Sequence, residues 1–354
     1  MQTRSSNLFP KNGSSRIPTV SIVGARGYSG LELVRLLRRH PGVKLTHCFA
    51  TKDFSLQNEI LDMDLSGIQC LADDQLMNNL TDIIFLATPA EVSLKLVPSI
   101  LEAGKKIIDL SGAFRLKKNS YTHWYNFEHT ASEALEQAEY GLVPFIGPCQ
   151  RKTSLISNPG CYATAITMGL LPLFKNNLIQ PKTLVIDAKS GATGAGKKAS
   201  ENLLFSEVSE DCLPYRVGRH QHLPEIVEAI EYFSGVTIAP HFTTHLLPAK
   251  RGIIAGLYAH VVEGTTLEQI ARAYTQAYQH YPLVRHGKNI AKLGSINKVV
   301  HTPAVYISYE LVDSKLYVFS VIDNLQKGAA SQAIENLNRM LDLPTHFSLI
   351  AENI

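Results

Sequence analysis

A glycine-rich turn set between a short apolar strand and an amphipathic helix constrains the fold of this chain more than any other feature. Thr19-Val-Ser-Ile-Val23 leads into Gly24-Ala-Arg-Gly27-Tyr28-Ser29-Gly30, and a helical pattern with apolar Leu33, Val34, Leu36 and Leu37 follows at once. With no Cβ in the way, the amides of such a turn can approach a pyrophosphate, and the helix N-terminus adds partial positive charge. The alternation recurs at Val43 to Phe49, at Asp82 to Ala87 followed by Glu91 to Ala103, and at Lys106 to Leu110. A β-α-β series of this kind predicts a doubly wound parallel sheet with ligand sites at the carboxyl ends of its strands.

In this Rossmann-type α/β unit, Gly24, Gly27, Tyr28, Ser29 and Gly30 are the expected coenzyme-binding residues, together with Thr88 and Pro89 after the Asp82–Ala87 strand. The second strand ends in Ala50-Thr51-Lys52, where an NAD enzyme usually offers an acid to the ribose hydroxyls. A hydroxyl and an ammonium at Thr51 and Lys52 suit a 2′-phosphate instead, which makes NADP(H) the expected cofactor. Asp53 is the competing reading, an NAD-type acid placed one residue late.

After Gly160 the texture changes to long β-rich runs at Leu184–Ala188, Ile253–Val262, Ala304–Leu311 and Leu316–Ile322, with helices expected at Pro224–Phe233 and Leu267–Tyr278. These predict a second, α+β domain with a mostly antiparallel sheet. A final helix, Ala329–Leu341, carries Ile334, Leu337 and Leu341 and is expected to pack back on the first domain. The division is then 18–160 with 324–354 for the coenzyme unit and 161–323 for the substrate unit, with 1–17 a disordered extension. A short organellar presequence is the rival reading of 1–17, which is acid-poor and rich in Ser.

The chain has 354 residues, 45% hydrophobic and 18% charged, so two cores can form without staples. A net charge of +3 gives no field that would recommend nucleic acid or a membrane surface as partner. No apolar run reaches the ~18 residues of a membrane span. Five cysteines, odd in number and never in a CxxC pair, argue against disulfides and zinc and for a reducing compartment, the cytoplasm. No metal is expected.

Chemistry concentrates at Ser157-Asn158-Pro159-Gly160-Cys161, a forced turn followed by an apolar run that reads as a buried helix starting at the cysteine. A thiol in the first turn of a helix has its pKa drawn down by the aligned amides, and the same amides can hold an oxyanion. Such a nucleophile needs an imidazole to take its proton, and His220-Gln-His222 before Pro224 and Glu225 offers two. Arg115, after the Lys106–Leu110 strand, could clamp an acyl phosphate through its fork. Gly191-Ala-Thr-Gly-Ala-Gly196-Lys197-Lys198 nearly spells a kinase phosphate loop, but Lys198 stands where Mg²⁺ needs a hydroxyl. A non-catalytic nucleotide sensor would have no use for the cysteine and the histidine pair.

Several segments together resemble the N-acetyl-γ-glutamyl-phosphate reductase family, relatives of aspartate-semialdehyde and glyceraldehyde-3-phosphate dehydrogenases. They are the Gly24–Gly30 turn, Asp109-Leu-Ser111, Ser157 through Thr164, Asp187 through Gly196, His220 through Glu225, Pro240-His241 with Arg251-Gly-Ile253, and Asp323 through Ala330. Ala113 and Val143-Pro144 depart from the family pattern. The resemblance implies reduction of an acyl phosphate, with phosphate released, through a thioester on Cys161. His222 is favoured as the base, and Arg115, Ser157, Asn158, His220 and Glu225 as substrate contacts. It also implies Ser190, Gly191 and Asn324 on the nicotinamide side, while the apolar strands Ala255–Val262 and Val305–Leu311 could pair with another subunit, which makes a homodimer or homotetramer the expectation. The same centre would serve other acyl phosphates such as β-aspartyl phosphate; the resemblance alone selects the N-acetylglutamyl compound.

Overall fold

The four strands expected in the first 110 residues lie side by side and parallel in the computed structural model, which describes residues 16–147, 153–198 and 200–350. They are β1 (Thr19–Val23), β2 (Lys44–Ala50), β4 (Ile83–Leu86) and β5 (Lys106–Asp109). Three short strands complete the sheet: β3 (Gln69–Ala72), β6 (Glu139–Tyr140) and β7 (Leu155–Ser157). The order is β3-β2-β1-β4-β5-β7-β6, so the strand order reverses between β1 and β4, where a doubly wound sheet opens its crevice. Val20, Ile22, Val23, Ile84, Phe85 and Leu86 are fully buried, as expected of strands covered by helices on both faces. Residues 1–15 of the expected extension, and Cys149, lie outside the described residues.

The second sheet runs β12-β13-β14-β11-β8-β10-β9. Its strands are β8 (Val185–Ser190), β9 (Leu213–Pro214), β10 (His241–Leu246), β11 (Ile253–His260), β12 (Val284–Gly287), β13 (Val305–Val312) and β14 (Lys315–Ile322). Pairings β11·β14, β11·β8, β13·β14 and β10·β9 are antiparallel, and β10·β8 and β12·β13 are parallel. The helix Cys161–Lys175 packs on β11 and β14 and is buried from Tyr162 to Phe174, which is why its sequence is apolar all round.

The C-terminal segment differs from the single helix expected at Ala329–Leu341. A π-helical turn, Gln326–Ala330, precedes a helix at Ser331–Met340, and Ala330, Ala333, Ile334 and Leu337 join the β1 side core. The wide turn accommodates a buried charge. Lys327 Nζ donates to Glu335 Oε1 at 2.7 Å, to Tyr281 Oη at 2.5 Å and to the Val143 carbonyl at 3.4 Å. Tyr281 in turn donates to Glu335. Both charged side chains are wholly buried. Among the described residues, no helix is long and apolar enough to cross a membrane.

Breaking such a pair strands one charge in a low-dielectric core. Lys327→Met should therefore lower the urea-unfolding free energy by about 3–5 kcal/mol. The double variant Lys327→Met/Glu335→Leu should recover most of that loss. Equal losses in the single and double variants would show that packing, and not the charge, is what matters.

Candidate active site

Cys161 is the first residue of its helix, with Gly160 as the extended residue before it. Four neighbours fix that turn. The Glu225 carboxylate accepts from the Gly160 amide at 2.7 Å and from Tyr140 Oη at 2.9 Å through Oε1. Its Oε2 faces the Arg115 guanidinium at 3.3 Å and His222 Nε2 at 4.0 Å. Arg115 also donates to the carbonyls of Asn158 (2.9 Å) and Leu110 (2.6 Å), tying the turn to the end of β5. Gly160 is required by this crowding: a Cβ there would lie 2.3 Å from His222 Nε2 and 2.6 Å from an Arg115 nitrogen. From the other side Gly328, in the π turn, presses on Cys161, and a Cβ on it would lie 2.7 Å from that of the cysteine.

His222 opens the helix His222–Ser234, two residues ahead of the expected start, because His220 Nδ1 accepts from the His222 amide at 3.2 Å and so begins the helix early. The two rings lie 4.9 Å apart, and Tyr162 meets His220 edge-on at 5.1 Å. Cys161, Tyr162, Ser190, Tyr215, Arg216, His220 and His222 line one cavity of about 880 Å³. Burial, reinforced by Arg115 and Arg216, pushes His222 down to about 3; burial, His222 and Arg216 push His220 down to about 2. The thiol departs from the sequence expectation. Burial outweighs the attraction of Arg115 and the helix amides and pushes Cys161 up to about 11. The free site therefore pairs a neutral thiol with neutral imidazoles.

Several expected substrate contacts are turned inward. Arg115 and Glu225 bind each other and the nucleophile turn, and neither lines the Cys161 cavity. Asn158 is likewise spent: its Nδ2 donates to the Ala329 carbonyl at 3.2 Å and its Oδ1 accepts from Asn336 at 3.1 Å. Ser157 is buried, and its Oγ has no hydrogen-bond partner among the described residues. Sequence reasoning passed over Arg216, which is the one Lys or Arg among the described residues lining the cavity. It is held in a left-handed backbone state (φ 44°), with a guanidinium nitrogen 3.0 Å from Gln221 Oε1. A basic residue six positions ahead of His222 was the available signal.

The glycine turn has the form a pyrophosphate needs. Gly24 takes φ +82°, and a Cβ there would strike the Ala87 carbonyl at 2.4 Å; one on Gly30 would strike the Gly24 carbonyl at 2.4 Å. Gly27 precedes the helix Tyr28–Arg39, which has neither a side-chain cap nor an acid in its first turn, so Tyr28, Ser29 and Gly30 present its open N-terminus. Thr51 and Lys52 are exposed at the end of β2, and Thr88 Oγ1, 2.8 Å from Ser93 Oγ, and Pro89 open the helix after β4. Ser190 ends β8, and Gly191 follows it against the Arg251 backbone. Asn324 Oδ1 accepts from the Gly252 amide at 2.7 Å and its Nδ2 donates to Thr193 at 3.0 Å, so it fastens the 191–196 loop. That loop makes a single 3₁₀ turn, Ala192–Ala195, with no long helix behind it, unlike the kinase loop its sequence approximates.

Residues 19–148 match the family profile described as semialdehyde dehydrogenase, NAD binding domain, and residues 161–324 match semialdehyde dehydrogenase, dimerisation domain. The chain is 39% identical over 338 residues to an N-acetyl-gamma-glutamyl-phosphate reductase of Brevibacillus brevis, covering 92% of this chain and 96% of that one. A Streptococcus gordonii protein of the same name is 38% identical over 339 residues, covering 94% and 98%. Aspartate semialdehyde dehydrogenase II from Vibrio cholerae shares the fold, with a TM-score of 0.70 at 16% identity over 93% of this chain and 99% of that one.

Cys161 in the free protein should react with iodoacetamide at a rate that climbs with pH towards about 11, with no plateau near neutrality. A plateau near neutrality would reveal a thiolate–imidazolium pair, which burial of both groups disfavours. The folded thiol keeps its proton after an unfolded cysteine has lost it, so its share of stability is lost as pH rises from about 9 to about 11. The buried histidines act at the other end. An unfolded chain takes up protons below about 6.5 that the folded one refuses, so stability falls as pH falls through that range.

Proposed function

The chain belongs to the N-acetyl-gamma-glutamyl-phosphate reductase family, and from that premise we propose that it reduces N-acetyl-γ-glutamyl phosphate to the semialdehyde, releasing phosphate, in arginine biosynthesis. The observation that carries this reading is a cysteine at a helix N-terminus whose turn is packed against the edge of an imidazole, in one cavity with the Arg216 cation. The coenzyme unit is 18–160 with 324–354, the substrate unit is 161–323, and the protein works as a homo-oligomer in the cytoplasm.

The Cys161 thiol attacks the acyl carbonyl while His222 Nε2, the ring nitrogen that abuts Gly160, takes its proton. The carbon–oxygen bond to phosphate breaks, phosphate leaves as hydrogen phosphate with a proton from water, and a thioester remains on Cys161. When bound, the reduced nicotinamide supplies the hydride for the thioester carbonyl. The resulting hemithioacetal oxygen is held by the amides of the helix N-terminus, and the carbon–sulfur bond then breaks as His222 returns its proton to the sulfur. Arg115 and Glu225 are positioning residues for this turn. Arg216 takes an anionic group of the substrate, with His220 beside it.

NADP(H) is the coenzyme, because Lys52 at the end of β2 offers a charge-assisted contact to the 2′-phosphate, with Thr51 beside it. Lys52→Ala should shrink the preference for NADPH over NADH roughly ten- to a hundred-fold in kcat/KM. An unchanged preference would hand the ribose to Asp53.

Cys161→Ser should lose turnover by orders of magnitude while still binding NADPH, and normal turnover in Cys161→Ala would refute the mechanism. The histidines should differ in kind. His222→Asn should lose on the order of 10²–10⁴-fold in kcat. His220→Asn should raise KM more than it lowers kcat, as for a group that holds ground and transition states alike. Steady-state kinetics on both variants checks this, and the opposite pattern would exchange the roles.

A further inference from the structure

Lys197, near the end of the Gly191–Lys198 run that follows β8, reaches across to the coenzyme turn. The ammonium lies 3.1 Å from Oε2 of Glu59 and 5.6 Å above the Tyr28 ring. Glu59 closes the short helix Leu56–Glu59 after β2, and its other oxygen lies 3.5 Å from Nε of Arg26, inside the glycine turn. One carboxylate thus neutralises two cations, one from the turn and one from the opposite sheet.

The pair is placed to exchange partners. Side chains of Lys197, Glu59 and Arg26 keep 38%, 24% and 43% of their surface in solvent, and ion pairs screened in this way are weak. Tyr28 is the first residue of the helix whose N-terminus suits a pyrophosphate, and the ammonium lies over its ring. A pyrophosphate carries two charges and more acceptor oxygens than a carboxylate. Thr51 and Lys52, at the end of β2, leave the 2′-phosphate to a different part of the groove. We infer that Lys197 is a coenzyme-binding residue that leaves Glu59 for the coenzyme's pyrophosphate, so that Glu59 competes with the coenzyme for it. This rests on the Gly24–Gly30 turn being the coenzyme site. Because NADPH and NADH share the pyrophosphate, Lys197 acts on the affinity for both and Lys52 on the choice between them.

Equilibrium titration of the full chain with NADPH and with NADH, followed by nicotinamide fluorescence without substrate, tests this apart from turnover. Lys197→Gln should raise both Kd values by about tenfold with their ratio unchanged. Glu59→Gln should lower both, and the double variant should return to the Lys197→Gln level. Unchanged Kd values in Lys197→Gln, or weaker binding in Glu59→Gln, would overturn the inference. A loss confined to NADPH would overturn the pyrophosphate assignment by giving Lys197 to the 2′-phosphate. Wild-type protein that binds neither nucleotide would overturn the coenzyme site itself, and Lys197 with it.

Discussion

The Glu225 carboxylate sits where the nucleophile turn, the end of β6, the loop after β5 and the His222 helix meet, and each of them gives it a partner. It accepts from the Gly160 amide, from Tyr140 and from Arg115, and it stands close to His222. A carboxylate in a dry core is tolerated only when its oxygens are paired in this way, so the charge and the turn hold each other in place. Removing any partner would leave a buried polar group unmet, and the thiol and the imidazole would lose the frame that sets their separation. Gly160 is the matching constraint, since any side chain there would push the imidazole or the guanidinium away.

The same dryness sets the resting state. Burial raises the thiol and lowers both imidazoles; Arg115 opposes the first effect, and Arg115 and Arg216 add to the second. A neutral cysteine beside a neutral base is protected from stray alkylation and oxidation, because the thiolate is the reactive form. In the proposed reaction, proton transfer is then coupled to attack on a bound acyl carbonyl, when an oxyanion forms where the helix amides point.

Much of this was legible in the residues. The glycine turn and the strand–helix alternation specified the parallel sheet, and the Pro-Gly-Cys turn ahead of an apolar run located the buried helix that Cys161 begins. What the sequence could not carry was direction. Arg115, Asn158 and Glu225 were recognisable as members of the site, but whether they face a substrate or the back of the turn depends on β5, β6 and the C-terminal segment, which are far away in the chain. The sign of the thiol's shift was misjudged for a related reason: helix amides are a local feature, whereas burial is a tertiary one, and here burial is the larger effect. Strands β6 and β7 are two and three residues long, too short for any periodicity to show. Arg216 was missed because nothing distinguishes a lone arginine in a loop from a solvated one until the cavity is seen.

The central claim is that Cys161 becomes acylated in a frame held by Glu225. Peptide mass mapping of the protein mixed with N-acetyl-γ-glutamyl phosphate, with no reduced nicotinamide present, tests it directly. The account predicts one N-acetylglutamyl group on the Cys161 peptide, formed with release of phosphate, discharged on adding NADPH and formed far more slowly in Glu225→Gln. Phosphate release and normal turnover with no adduct at Cys161, or an adduct on another residue, would contradict it.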